Sequence, residues 1–185
     1  MAIRESYLAP APKTLSHPLL RLREFLNTLL RTLFIALALM IFVAQPTRVE
    51  GVSMEPTLQT GQQLVIEKIS YRFQNPTHGD IVVIKLDRSY NPYLVKRVIA
   101  TEGDVVEIRN GRLYLNGQMQ EEKNITSMTS RDYATTVVPP GHLFVLGDNR
   151  DASNDSRYFG MVPIQSLVGR ALASYWPPNT IGPIN

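Results

Sequence analysis

The chain has 185 residues, 44% hydrophobic and 19% charged, which excludes a disordered or all-membrane protein and allows one ordinary domain with a short appendage. It contains no cysteine, so disulfides, zinc–thiolate sites, iron–sulfur clusters and thiol catalysis are excluded together. The net charge of +3 resides wholly in residues 1–31, where Arg4, Lys13, Arg21, Arg23 and Arg31 face only Glu5 and Glu24, so the rest offers no basic face for nucleic acid.

Residues 1–25 read as a basic tail. The most apolar stretch, LFIALALMIFVA at 33–44, rises only ~18 Å as a helix, short of a ~30 Å hydrocarbon core. Begun at Leu26 it reaches ~28 Å, with Arg31 snorkelling toward the headgroups on the tail side. A cleaved signal peptide is the competing reading. It fits less well, because a cut after Ala44 puts Phe42 at the third position back, where a small residue is needed. The expectation is one retained transmembrane anchor over residues 26–45. The positive-inside rule then keeps the tail cytoplasmic and puts residues 46–185 on the exported side.

From Glu50 onward the pattern changes to short β-branched runs separated by turn residues. Strands are expected at 64–71, 81–86, 93–100, 104–109, 112–115, 143–146 and 166–175. Asn110-Gly111 and Asn116-Gly117 are tight-turn signals, because both central positions call for positive φ; the first closes a hairpin. Residues 118–136 are polar and weakly patterned, and read as a long loop or peripheral flap. Trp176, in Tyr175-Trp176-Pro177-Pro178, reads chiefly as a core residue, with an interfacial aromatic contact as the other reading. The expected fold class is an all-β domain of roughly 140 residues behind one N-terminal helix, large enough to bury a core.

Candidate chemistry is narrow. His17, His78 and His142 lie near no recognisable nucleophile or metal pattern, so a Ser-His-Asp triad has little support. Two polar segments stand out, GVSMEPTL at 51–58 and GDNRDASNDSR at 147–157. Each alone could be structural: a proline-ended turn, and an Asx-rich loop with an Arg–Asp pair. A serine hydroxyl needs a neighbouring base, and without histidine that base is a carboxylate or a lysine held neutral by burial. Lys68, Lys85 and Lys96 all sit in apolar strand contexts, and periodicity leaves the three open.

Four segments in order, SMEPTL at 53–58, GDIV at 79–82, KRV at 96–98 and GDNRDASNDSR at 147–157, resemble the boxes of bacterial type I signal peptidases. The resemblance spans roughly residues 30–176. It implies antiparallel sheets of the signal-peptidase and repressor-protease kind, and cleavage of signal peptides from exported preproteins by a serine–lysine dyad. It chooses Lys96 among the lysines as general base, with Ser53 as nucleophile. Ser153 matches a serine that hydrogen-bonds the lysine ammonium, and Asp155 and Arg157 match a structural ion pair. Some members carry a serine two residues before the nucleophile, for the oxyanion; this chain has Gly51, leaving the Ser53 N–H with a water or neighbouring main chain.

No metal or organic cofactor is implied. The implied partners are preprotein signal peptides with small residues at the first and third positions before the cut, and the lipid bilayer, with no nucleic acid. Asn124-Ile125-Thr126 fits a glycosylation acceptor and is read as chance in a bacterial-type protein. Ser53 follows Ala44 by nine residues, so it should lie within ~30 Å of the membrane surface. A plasma membrane and an internal photosynthetic membrane facing a lumen fit alike. Two rivals are a self-cleaving repressor-type peptidase and an inactive membrane-tethered scaffold.

Overall fold

The computed structural model describes residues 18–86, 92–126, 129 and 131–184, without the side chains of residues 39, 41 and 42. Most of the basic tail, with Arg4 and Lys13, lies outside the described residues. The chain divides into two compact units, Met1–Met40 and Ile41–Asn185.

Helix α1 runs Pro18–Val43, starting at Pro18 rather than Leu26. Proline suits a first helical turn because its missing N–H has no partner to lose there. No glycine or further proline interrupts the 26 residues, which rise ~39 Å. Leu26, Leu29, Leu33, Phe34 and Leu37 are exposed along it. Over the described residues no helix is both long and apolar enough to cross a membrane. Arg21, Arg23, Glu24 and Arg31 all lie on α1.

The second unit is antiparallel throughout. Its strands are β1 (Ala44–Arg48), β2 (Gln63–Glu67), β3 (Ile81–Lys85), β4 (Tyr93–Ala100), β5 (Val105–Arg109) and β6 (Arg112–Leu115). There follow β7 (Gln118–Met119), β8 (Tyr133–Val137), β9 (His142–Leu146), the short helix α2 (Ser156–Phe159), β10 (Val162–Pro163), β11 (Leu167–Trp176) and β12 (Gly182–Pro183). The larger sheet has the order β1-β2-β11-β3-β4-β9-β10, with β12 also on β11; the smaller is β7-β6-β5-β8. Strand β3 is buried on both faces: Val83 joins Leu64, Ile66 and Met54, while Val82 and Ile84 join Val98, Leu143 and Val145. Strand β9 does the same, sending Phe144 and Leu146 toward Val106, Ile108 and Leu113 of the smaller sheet. Two-sided burial is why IVVI and LFVL are continuous apolar runs rather than alternating ones.

Both Asn-Gly turns form as expected, with φ of 51° and 75° at Asn110 and Gly111, and 52° and 77° at Asn116 and Gly117. The first closes the β5–β6 hairpin with Arg109 opposite Arg112.

Four expectations need correction. The strand expected over 64–71 stops at Glu67, whose carboxylate accepts the Ile69 and Ser70 N–H groups and turns the chain into a 3-10 turn over Ser70–Arg72. The loop expected over 118–136 contains β7 and most of β8, an edge strand in which Thr135 is exposed and Thr136 half-buried, so that neither position carries an apolar signal. Ala44 and Gln45, read as the end of the anchor, are the first residues of β1 and pair with Glu67 and Ile66. Trp176 is not a core residue: it is 51% exposed, next to exposed Tyr175.

Candidate active site

Ser53 sits in the irregular segment between β1 and β2. Met54 and Leu58, each buried, pin that segment to the core, and the Leu58 N–H donates to the Met54 carbonyl at 2.8 Å. Gly51 precedes it at φ 84°, in the region that favours glycine, and its carbonyl accepts the Thr60 hydroxyl at 2.9 Å. Among the described residues the Ser53 N–H has no hydrogen-bond partner.

Lys96 lies in β4, between β3 and β9, with Val82 as its partner across the sheet. It is only 2% exposed, and its Nζ lies 2.7 Å from Ser53 Oγ. Burial pushes the Lys96 amine down to about 8; the Asp155 carboxylate pulls it partly back up, Arg157 pushes it down again and Asp148 pulls it up. The other two lysines differ. Lys85 ends β3 and is exposed, and Lys68 is half-buried past the end of β2.

The loop at 147–157 is braced by buried ion pairs. Arg157 grips Asp155 through two hydrogen bonds of 2.8 Å and also donates to the Arg150 carbonyl at 2.6 Å. Asp155 in turn accepts the Gly147 N–H at 3.0 Å. The expected pair therefore forms. Asp148 of the same loop, to which the sequence assigns no partner, is clamped by Arg97 at 2.9 and 2.7 Å and accepts the Thr57 hydroxyl at 2.5 Å. One carboxylate thus ties the neighbour of Lys96 to the segment carrying Ser53. The signal was present in adjacent Lys96-Arg97 and in the Asp148 that follows an apolar strand, but pairing partners are not legible from one chain.

Ser153 is brought to the site, but its expected bond to the lysine is not formed. Its Oγ is buried and has no hydrogen-bond partner among the described residues. The hydroxyl turns instead into the space that Gly147 leaves by lacking a Cβ. A Cβ there would overlap both Ser153 Oγ and the Ser53 carbonyl oxygen. Gly147→Ala should therefore push Ser53 off Lys96 and cut kcat about 100-fold, since backbone cannot yield cheaply. Preprotein cleavage kinetics beside a thermal midpoint would check this; wild-type kcat in the variant would contradict it.

A groove of about 340 Å³ opens beside Ser53. Gln45–Arg48 of β1 and Tyr93, Leu94 and Val95 of β4 lie along it, with Val49, Met54, Val83 and Val168 forming an apolar floor.

Residues 22–176 match the family described as signal peptidase, peptidase S26. The chain belongs to the signal peptidase I family. It is a serine endopeptidase that removes signal peptides. Among its relatives is a probable signal peptidase I-2 of Synechocystis, 38% identical over 164 residues, covering 86% of this chain and 75% of the relative. A thylakoidal processing peptidase of Arabidopsis thaliana is 40% identical over 149 residues, covering 75% of this chain and 44% of that protein. A crystal structure of a signal peptidase I from Enterococcus faecalis is 34% identical, with a TM-score of 0.46, covering 52% of this chain and 97% of that one. Signal peptidases act on peptide bonds, and the groove leads to the hydroxyl beside the buried amine.

Proposed function

We propose that Ser53 is the nucleophile of this signal peptidase and Lys96 its general base. The observation that carries the proposal is the 2.7 Å approach of Nζ to Oγ, with the amine buried and pushed down to about 8. Neutral Lys96 takes the hydroxyl proton as Oγ attacks the carbonyl carbon of the scissile bond. The tetrahedral oxyanion is met by the Ser53 N–H, a donor with no partner among the described residues; Gly51, at φ 84°, supplies no hydroxyl. The Lys96 ammonium then gives its proton to the leaving amine. Water attacks the acyl-Ser53 ester as Lys96 takes its proton, the C–Oγ bond then breaks as the Lys96 ammonium returns that proton to Ser53 Oγ, and the signal peptide leaves as a free acid.

The groove supports an extended substrate. Strand β1 is a sheet edge, and among the described residues β4 pairs with β9 only from Arg97 onward, so that Leu94 and Val95 have their ladder on the β3 side. A segment lying there points alternate side chains at the apolar floor, so the first and third residues before the cut are read together. Small residues fit that spacing. Replacing Ala by Phe at either position of a test preprotein should lower kcat/KM at least about 100-fold, as overfilling a shallow apolar subsite excludes productive seating. Equal rates for Ala and Phe would refute this specificity.

In this reading the membrane anchor expected over 26–45 is confined to residues 26–43, because Ala44 and Gln45 belong to β1, with the tail before it cytoplasmic and the β-sheet unit on the exported side. The exposed apolar surface of α1, too extensive for water, supports a lipid environment, and Arg21 and Arg23 at its N-terminal end, with Arg4 and Lys13 earlier in the sequence, support the orientation. The membrane is the plasma membrane or a thylakoid-type one; the cyanobacterial and thylakoidal relatives are compatible with both.

A further inference from the structure

Residues 120–126 belong to none of the boxes, yet they reach both halves of the site. The Thr126 hydroxyl donates to the Glu55 carbonyl at 2.8 Å, two residues beyond Ser53. The Thr126 N–H donates to the Asp148 carbonyl at 3.2 Å. Four residues earlier, Glu122 pairs through both carboxylate oxygens with buried Arg150, whose Nε donates to the Gly147 carbonyl at 3.1 Å. Gly147 is the residue wedged between Ser153 and Ser53. The Asn149 N–H, donating to the Ser53 carbonyl at 3.0 Å, completes the link.

This strap is held by polar bonds more than by packing. Cavities of about 350 and 320 Å³ are both lined by Leu113, Gln120, Glu121, Glu122 and Ile125. Losing one bond in such a segment therefore shifts what the bond holds, because little apolar contact resists the movement. We infer that Thr126 is a positioning residue for the reaction, fixing the nucleophile segment through the Glu55 carbonyl, with Glu122 holding the opposite end of the strap through Arg150. The inference rests on the Ser53–Lys96 reading. It gives the threonine of Asn124-Ile125-Thr126 a task unrelated to glycosylation.

The test uses the full chain in detergent with a test preprotein, at a temperature well below the melting midpoint. Thr126→Val keeps the shape and deletes the donor; kcat should fall about tenfold with KM nearly unchanged, the scale expected for a nucleophile loosened by a fraction of an ångström. Thr126→Ser restores the donor and should recover most of the rate. Glu122→Gln should also lower kcat, and combined with Thr126→Val should cost less than the product of the two effects, since both hold one strap. A merely structural role predicts a lowered midpoint with kcat per folded molecule intact, and that result overturns the inference. So does Thr126→Ser being as slow as Thr126→Val. Ser53→Ala, run in parallel, separates the two levels: full activity there removes the dyad and the inference together. An inactive Ser53→Ala beside a wild-type Thr126→Val removes the inference alone.

Discussion

Ser53→Ala and Lys96→Ala should each abolish preprotein cleavage, with kcat/KM falling at least about 10⁴-fold while the fold is kept. The size follows from the chemistry. Without Oγ no acyl intermediate forms, and without a neutral amine at 2.7 Å the hydroxyl keeps its proton. Lys96→Arg should be equally inactive, because a guanidinium is always charged and cannot act as base. Combining Ser53→Ala with Lys96→Ala adds almost nothing to either alone, since the two groups act as one unit. Circular dichroism separates a dead enzyme from an unfolded one. More than trace cleavage by a folded single variant removes the dyad.

Lys96→Met should make the enzyme more stable at neutral pH while inactivating it. Lysine titrates near 10.5 in the unfolded chain and near 8 in the fold. Between those values the unfolded chain holds a proton that the folded one lacks, so wild-type stability rises with pH across that window. Below about pH 8 both states are protonated and the fold carries the whole burden of a buried ammonium, about 3 kcal/mol. Methionine of similar length lifts that burden but leaves the Ser53 hydroxyl unpaired, a cost of about 1 kcal/mol. Denaturant unfolding at pH 7 should show a gain of about 2 kcal/mol, the balance of these two. The gain should shrink as pH rises from 8 toward 10.5. A variant less stable than wild type at pH 7 contradicts a desolvated lysine.

How much could be read beforehand differs from element to element, for physical reasons. The Asn-Gly turns were legible because few residues accept positive φ, and β3 and β9 because two-sided burial writes a continuous apolar run. Strand β8 was not, since Tyr-Ala-Thr-Thr-Val on a solvated edge looks like loop. The end of β2 depends on the Glu67 side chain bonding the backbone just beyond it, a local competition that hydrophobic period does not register. Among three lysines in apolar runs only Lys96 is deeply buried, because β4 is flanked on both sides while Lys85 stands at a strand end. That difference is tertiary, and the resemblance to a family anticipated it where periodicity could not. The roles of Asp148, Thr126 and Glu122 are not legible in the sequence because their partners lie far away in the chain.

Whether a neutral Lys96 activates Ser53 is read from the pH dependence of kcat/KM for a saturable test preprotein. This quantity reports the ionisation of the free enzyme's essential base. The expected profile rises with unit slope on a logarithmic scale as pH increases, and levels off above a midpoint near 8, where burial has pushed the amine. A profile flat from pH 6 to 10, or one that levels off with a midpoint near 6 as a histidine base would give, would contradict Lys96 as the base.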